Sequence, residues 1–512
     1  IGAIVLACAL TMNGLPVQSI STSTRKAYAA AKSETEKQDV SQPETKMGNV
    51  VLNGNDIAVN NVNGLTYKGF GMLSGNSTSD LLMDYKAEQP KAYAELMQYL
   101  FGGNYPIMNH VKLEMGNDRN TSTGPESCTK RTEKEKANVL RNPGWQLAAD
   151  AKKINPKIKV SILRWEAPVW AGTDEKIYQW YKETILDAYE KYGYMVDYIN
   201  PNINEKWDVD SDVAFTKKFA KWIAAETKET IPDEKALALY HKIKLVVSDE
   251  AGTASDSVVE SMKSDSDFYN SVDVVGYHYS PWDDSNGGMK WLAQTKDKEV
   301  WNSEAQATFS NSAFRPSNNV KDPTTEGTGL GGTGSALEMA NTFIKGFVQS
   351  RRSHVIYQPA IGSFYEGAQF SFKELVSARD PWSGWIHYDA GLLMLAHISK
   401  FAVTGWENED NTAGIWRAVP QASKCTADGT NPVNGRNGGE NYMTLASPAK
   451  DNFSTMIVND SEYPMEYKIQ TKNMKLAEDQ NLEIWETRAA DDGAFNENYM
   501  KCIQELSADS NG

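Results

Sequence analysis

The chain is short of the residues that mark a metal or redox centre, with six His and four Cys among 512 residues. It has no CxxC pair, no HExxH, no phosphate-binding G-x-x-x-x-G-K-[ST] loop and no G-x-G-x-x-G after a strand. No metal and no cofactor are therefore expected. Positive charge is also in deficit: 52 Lys and Arg face 67 Asp and Glu, for a net charge of −15. Such a field repels phosphate backbones, so a nucleic-acid partner is not expected. Long apolar runs are missing too. The most apolar stretch, IGAIVLACALTMNGLPV at residues 1–17, is too short for a transmembrane span.

That stretch, followed by Ala27-Tyr28-Ala29, reads as most of a secretory signal peptide over residues 1–30, clipped at its start. The expected location is extracellular. Residues 31–47 are polar and read as a flexible leader. Cys8 would leave with the signal. Cys128, Cys425 and Cys502 then remain, which allows one disulfide and no framework.

Aromatics are abundant, with 14 Trp and 23 Tyr. Indole and phenol rings pair an apolar face with a polar atom, and sugar rings stack well on such surfaces. From Leu65 onward eight apolar, β-rich runs alternate with helical patterns. The runs lie at 65–72, 110–116, 158–165, 195–205, 243–250, 272–279, 298–304 and 354–366. Helices are expected at 91–101, 144–154, 175–193, 212–229, 255–264 and 336–351, where apolar residues recur three or four apart. Eight β-α units predict an α/β TIM (β/α)8 barrel over residues 64–384. An open doubly wound sheet is the competing fold, and it gives no reason for eight repeats. Alternating strands after residue 385 predict an appended antiparallel β-sandwich domain over 385–512, joined by strand material at 48–63.

A barrel presents its reactive side chains at the C-terminal ends of its strands. The acids there are Glu114 and Asp118, Glu166, Glu205, Asp249 and Glu250, Glu304 and Glu366. Asp249 and Glu250 read equally as caps of the following helix. Glu205 and Glu304 end the fourth and seventh runs and have amide or hydroxyl neighbours, which places them on opposite sides of one mouth. Two such carboxyls suit glycosidic cleavage, one protonating the leaving oxygen and one attacking or positioning water. The two must differ in pKa, so their surroundings must differ. His278 and Tyr279, at the end of the sixth run, read as groups that hold Glu304.

The motifs FGMLSG, KLEMGND, RWEAPVWAG, NINE, VVGYHY, WNSEAQATFS, SFYEG and DPWSGW follow one another in this order. In that order the chain resembles glycoside hydrolase family 59, the galactocerebrosidase family of clan A barrel glycosidases, over roughly residues 64–400. The resemblance implies a retaining β-galactosidase. Glu205 would be acid/base and so need a raised pKa, Glu304 would be the nucleophile and so stay ionised, and Asn204 would be a ligand of the sugar 2-hydroxyl. Trp165, Thr121, Ser122 and Tyr365 would bind substrate beside His278 and Tyr279. The implied partner is a carbohydrate or glycoconjugate bearing a β-galactosyl group. Ala307, Gln358-Pro359 and Glu166 depart from the mammalian pattern. These departures turn the expected aglycone from ceramide toward plant or host galactosides. A β-xylosidase, a β-glucosidase, an endo-galactanase or a non-catalytic carbohydrate-binding protein on the same barrel are the competing functions. The oligomeric state is left open.

Overall fold

The computed structural model describes residues 4–5, 43–58, 63–75, 78–119, 124–251, 254–279, 287–305, 336–358, 360–362, 375–378, 380–388, 390–401, 416–425, 439–459, 461, 463–477, 481–488 and 499–507. Its centre is a closed barrel of eight parallel strands. They are β1 (Phe70–Ser74), β2 (Met108–Glu114), β3 (Lys159–Arg164), β4 (Tyr198–Ile203), β5 (Lys244–Ala251), β6 (Val274–His278), β7 (Glu299–Ala305) and β8 (Arg352–Tyr357). Each pairs with its sequence neighbour, and β8 closes on β1. All eight expected runs became strands, because a strand covered on both faces must be apolar almost throughout.

The helices follow local signals as well. α1 (Thr78–Glu88) and α2 (Pro90–Phe101) come first, and Pro90 fixes the start of α2. α3 (Pro143–Ile154) is capped by the Asn142 side chain, and α4 (Asp174–Tyr192) by Thr173, with Gly193 closing α4 in the left-handed region. α5 (Val209–Ala225), α6 (Glu234–Tyr240) and α8 (Ser266–Ser271) are capped by Asp208, Asp233 and Asp265; α7 (Ala254–Ser264) lies between the last two. α9 (Ala336–Ser350) precedes β8. α10 (Ala390–Phe401) was not foreseen. Its sequence AGLLMLAHISKF is apolar nearly all round, and all but one or two of its side chains are buried. Such a helix carries no amphipathic period to read.

Inside the barrel Leu73, Leu163, Tyr198, Val246, Val274, Trp301 and Ile356 form one buried cluster. Each such side chain contributes about 1.5–3 kcal/mol by leaving water. Beyond the barrel, Tyr442–Ala446 pairs antiparallel with Phe453–Val458, and Asn481–Glu486 with Lys501–Ser507. The strand Lys46–Asn53 pairs with Met465–Lys472, but in parallel rather than antiparallel. The whole barrel connects these two strands, so no tight turn dictates their direction. Among the described residues no helix is long and apolar enough to cross a membrane. Among the described residues no disulfide joins Cys128, Cys425 and Cys502, so the single bridge the sequence allowed is not formed among them.

Candidate active site

The C-terminal ends of β4, β5 and β6 leave regular extended geometry together. Glu205 (φ 55°), Ser248 (φ 75°), Asp249 (φ 47°) and Tyr279 (φ 57°) occupy the left-handed region. Register shifts accompany them between Ser248 and Glu250 and between Tyr277 and His278. Such backbone is costly for residues with a Cβ and survives where surrounding contacts enforce it. Here the backbone N–H of Glu205 donates to the Asp249 carbonyl (3.0 Å) and that of Tyr279 to the Glu304 carbonyl (2.8 Å). The result turns Glu205, His278 and Tyr279 toward one point.

Glu205, His278 and Glu304 each place a side-chain donor or acceptor atom within 4.8 Å of the others. His278 Nδ1 lies 2.9 Å from Glu205 Oε1 and 3.7 Å from Glu304 Oε2. The Tyr279 hydroxyl donates to Glu304 Oε1. The two acids are not equivalent. Glu304 is enclosed, at 1% side-chain exposure, whereas Glu205 is 29% exposed at the mouth. Asn204 is fully buried, and neither atom of its amide has a hydrogen-bond partner among the described residues. A buried amide without partners costs about 1–3 kcal/mol, and a ligand hydroxyl would relieve it.

Asp249 is no helix cap. It lies inside the barrel and accepts from Lys112 Nζ (2.9 Å) and Asn200 Nδ2 (2.8 Å). His278 Nε2 is 3.6 Å from its other oxygen. Lys112, on β2, was missed. A charged residue in the register of His110 and Glu114, on a strand buried throughout, was the available signal. Gly276 makes room for this arrangement, because a Cβ there would meet Asp249 Oδ1 at 2.3 Å and Ser303 Oγ at 2.4 Å. Glu250 accepts from the Trp207 backbone N–H, beside the mouth.

The ionisation pattern of the site is the reverse of the expected one. Burial raises the Glu205 carboxyl, but the hydrogen bond and charge of His278 outweigh this and hold it below its usual value. Glu304 is raised, first by complete burial and then by the charge of Glu205, against the pull of His278. His278 is pushed up to about 9, because Glu304, Asp249 and Glu205 together overcome the effect of burial. The bond and charge of His278 at Glu205 and the enclosure of Glu304 account for the reversal.

Trp165 is partly buried and packs against the inner cluster below the mouth. Glu166 lies at the rim and pairs with Arg119 (2.8 Å). Asp118 is held by Arg131 and Asp249 by Lys112. Thr121, Ser122 and Tyr365 lie outside the described residues, as do Ala307, Pro359 and Glu366.

The family description glycosyl hydrolase family 59 matches residues 67–400. Galactocerebrosidase of Danio rerio is 26% identical over 357 residues, covering 67% of this chain and 46% of its own length. Galactocerebrosidase of Homo sapiens is 27% identical over 350 residues, covering 67% of this chain and 44% of its own. The chain thus spans about half the length of the curated relatives it matches. Among solved structures, the endo-beta1,6-glucanase BT3312 superposes with a TM-score of 0.57 at 13% identity, over 93% of this chain and 95% of that one. SrfJ from Salmonella typhimurium gives 0.54 at 12% identity, over 89% and 99%. At these identities the two structures speak for the fold alone.

Proposed function

Since the chain belongs to glycosyl hydrolase family 59, we propose that it hydrolyses terminal β-galactosides with retention of configuration. The observation that carries the reading is the pair Glu205, just past the end of β4, and Glu304, on β7, with one carboxylate oxygen of each within 4.8 Å of the other across the mouth. Retaining enzymes keep their carboxyls about 5–5.5 Å apart, and inverting enzymes leave about 6.5–9.5 Å for a water. Glu304 is the nucleophile: it is enclosed, and the Tyr279 hydroxyl aims one of its oxygens. Glu205, open to solvent, protonates the leaving oxygen and then takes a proton from the incoming water. The unpartnered amide of Asn204 takes a sugar hydroxyl, a bond that strengthens as charge develops on the ring. Trp165, Thr121, Ser122 and Tyr365 complete the substrate surface in this reading.

Galactose as the sugar rests on the likeness to the galactocerebrosidases. The apolar run at 1–17 supports action outside the cell, and the barrel over 64–384 is the catalytic unit, braced by the sheets after it. The test is the initial rate on 4-nitrophenyl β-D-galactoside against the β-glucoside and β-xyloside, with Glu304→Gln as blank. A galactoside preference that vanishes in the blank is expected, with β-galactose as the first-formed anomer by NMR. Inverted product, or an active blank, overturns the assignment.

A further inference from the structure

His278 is fully buried, yet its two ring nitrogens face carboxylates on three different strands. Nδ1 faces Glu205 of the β4 end at 2.9 Å and Glu304 of β7 at 3.7 Å; Nε2 faces Asp249 of β5 at 3.6 Å. Glu250 and the Tyr279 hydroxyl are the other titratable groups nearby, and Lys112 is the cation that reaches this cluster, through Asp249. A neutral imidazole has one N–H and can present it to one of these sides, while the imidazolium presents an N–H to both, at 2.9 Å from Glu205 and 3.6 Å from Asp249. Asp249 cannot serve as a proton store itself. Lys112 and Asn200 both bond its Oδ2, which fixes it as a carboxylate and leaves Oδ1 for the ring.

We propose that Lys112, Asp249 and His278 form a buried relay that keeps the catalytic proton on His278 between turnovers and passes it to Glu205 when substrate fills the mouth. The proposal rests on the glycosidase reading of Glu205 and Glu304. It also resolves the reversed ionisation, because a carboxyl held low needs a nearby source for the proton it must donate.

The steps balance. Substrate excludes water, and the Nδ1 proton moves to Glu205 Oε1, leaving a neutral ring whose Nε2–H still faces Asp249. The Glu304 carboxylate bonds to the anomeric carbon as the glycosidic C–O bond breaks, and the leaving oxygen takes the proton from Glu205. Esterification removes the Glu304 charge, the strongest support of the imidazolium, so His278 stays neutral and Glu205 anionic. Water then attacks the anomeric carbon, the ester bond breaks, and the proton lost by water passes to Glu205 and back to His278 Nδ1. One proton leaves the relay and one returns. Lys112 and Asp249 touch no reacting atom in this scheme; they are positioning residues.

The test reads the proton directly. With six His in the chain, ring 15N spectra of the full protein are tractable, and His278→Gln identifies the signal. At pH 7 the wild type is expected to show His278 as imidazolium. Asp249→Asn is expected to make it neutral and to cut kcat on methyl β-galactoside about a hundredfold, while 4-nitrophenyl β-galactoside, with a good leaving group, falls only a few-fold. Asp249→Asn strands the Lys112 charge, so Lys112→Gln with Asp249→Asn removes both charges together if the single variant does not fold. A neutral His278 in the wild type, or an imidazolium that persists in both variants, overturns the relay. An imidazolium lost on substitution in a chain inactive on every glycoside would keep the relay and sink the glycosidase reading instead.

Discussion

One barrel holds buried histidines at two levels, and they carry opposite charge states. Deeper in the barrel His110 of β2 stacks on His354 of β8, with Nδ1 of one 2.9 Å from Nε2 of the other and Ser161 Oγ 2.8 Å beyond. Burial lowers His354 to about 4, and burial, His354 and Lys112 hold His110 well below its usual value. The nearby carboxylate of Glu299 is committed to Lys68 and Trp301. At the mouth His278 is equally buried but is pushed up to about 9. Burial by itself neutralises an imidazole, and several carboxylates facing one ring reverse that. The inner pair therefore serves packing, and the outer ring is poised for proton work.

The sharpest test of this contrast is activity. Glu304→Gln should lower kcat by about a thousandfold or more with the fold intact, the loss expected on removing the proposed nucleophile. His354→Gln should leave kcat on 4-nitrophenyl β-galactoside within about threefold; a comparable collapse would erase the distinction between the two levels.

The inner ion pair gives the next effect. Lys68→Met should cost about 3–5 kcal/mol in denaturant unfolding, because Glu299 stays buried without its cation. Lys68→Met combined with Glu299→Gln should recover most of it.

Stability against pH should then separate the histidines by sign. His278 is raised, so the native state holds its proton above the unfolded value near 6.5. Its contribution is full below about pH 6.5 and is lost as pH rises through about 9. His354 is lowered, so its contribution is full above about pH 6.5 and is lost as pH falls through about 4. Each is worth on the order of 3 kcal/mol. Relative to wild type, His278→Gln should flatten the alkaline side of the denaturant-midpoint profile and His354→Gln the acid side. The same side changing in both would break the comparison.

The smallest effect lies at the rim. Arg119 is 58% exposed and Glu166 36%, so Arg119→Ala should change stability by less than about 1 kcal/mol. A larger loss would mean that this pair is shielded as the inner ones are.

The sequence by itself determined the eight strands, six of the helices and the two acids that end β4 and β7. These follow from local patterns: apolar runs, three-or-four-residue periods and the rule that a barrel reacts at its strand ends. Local pattern failed for α10, whose uniform apolarity hides its period, and for the parallel pairing of Lys46–Asn53 with Met465–Lys472, whose partners lie a whole barrel apart. Only the tertiary structure decided the ionisation of the site. Lys112, Asp249 and His278 stand on three strands and look unremarkable in their own stretches, and Asp249 even reads as a helix cap. A proton's position depends on every charge within a few ångströms in a dry interior, and closure of the barrel is what brought those charges together.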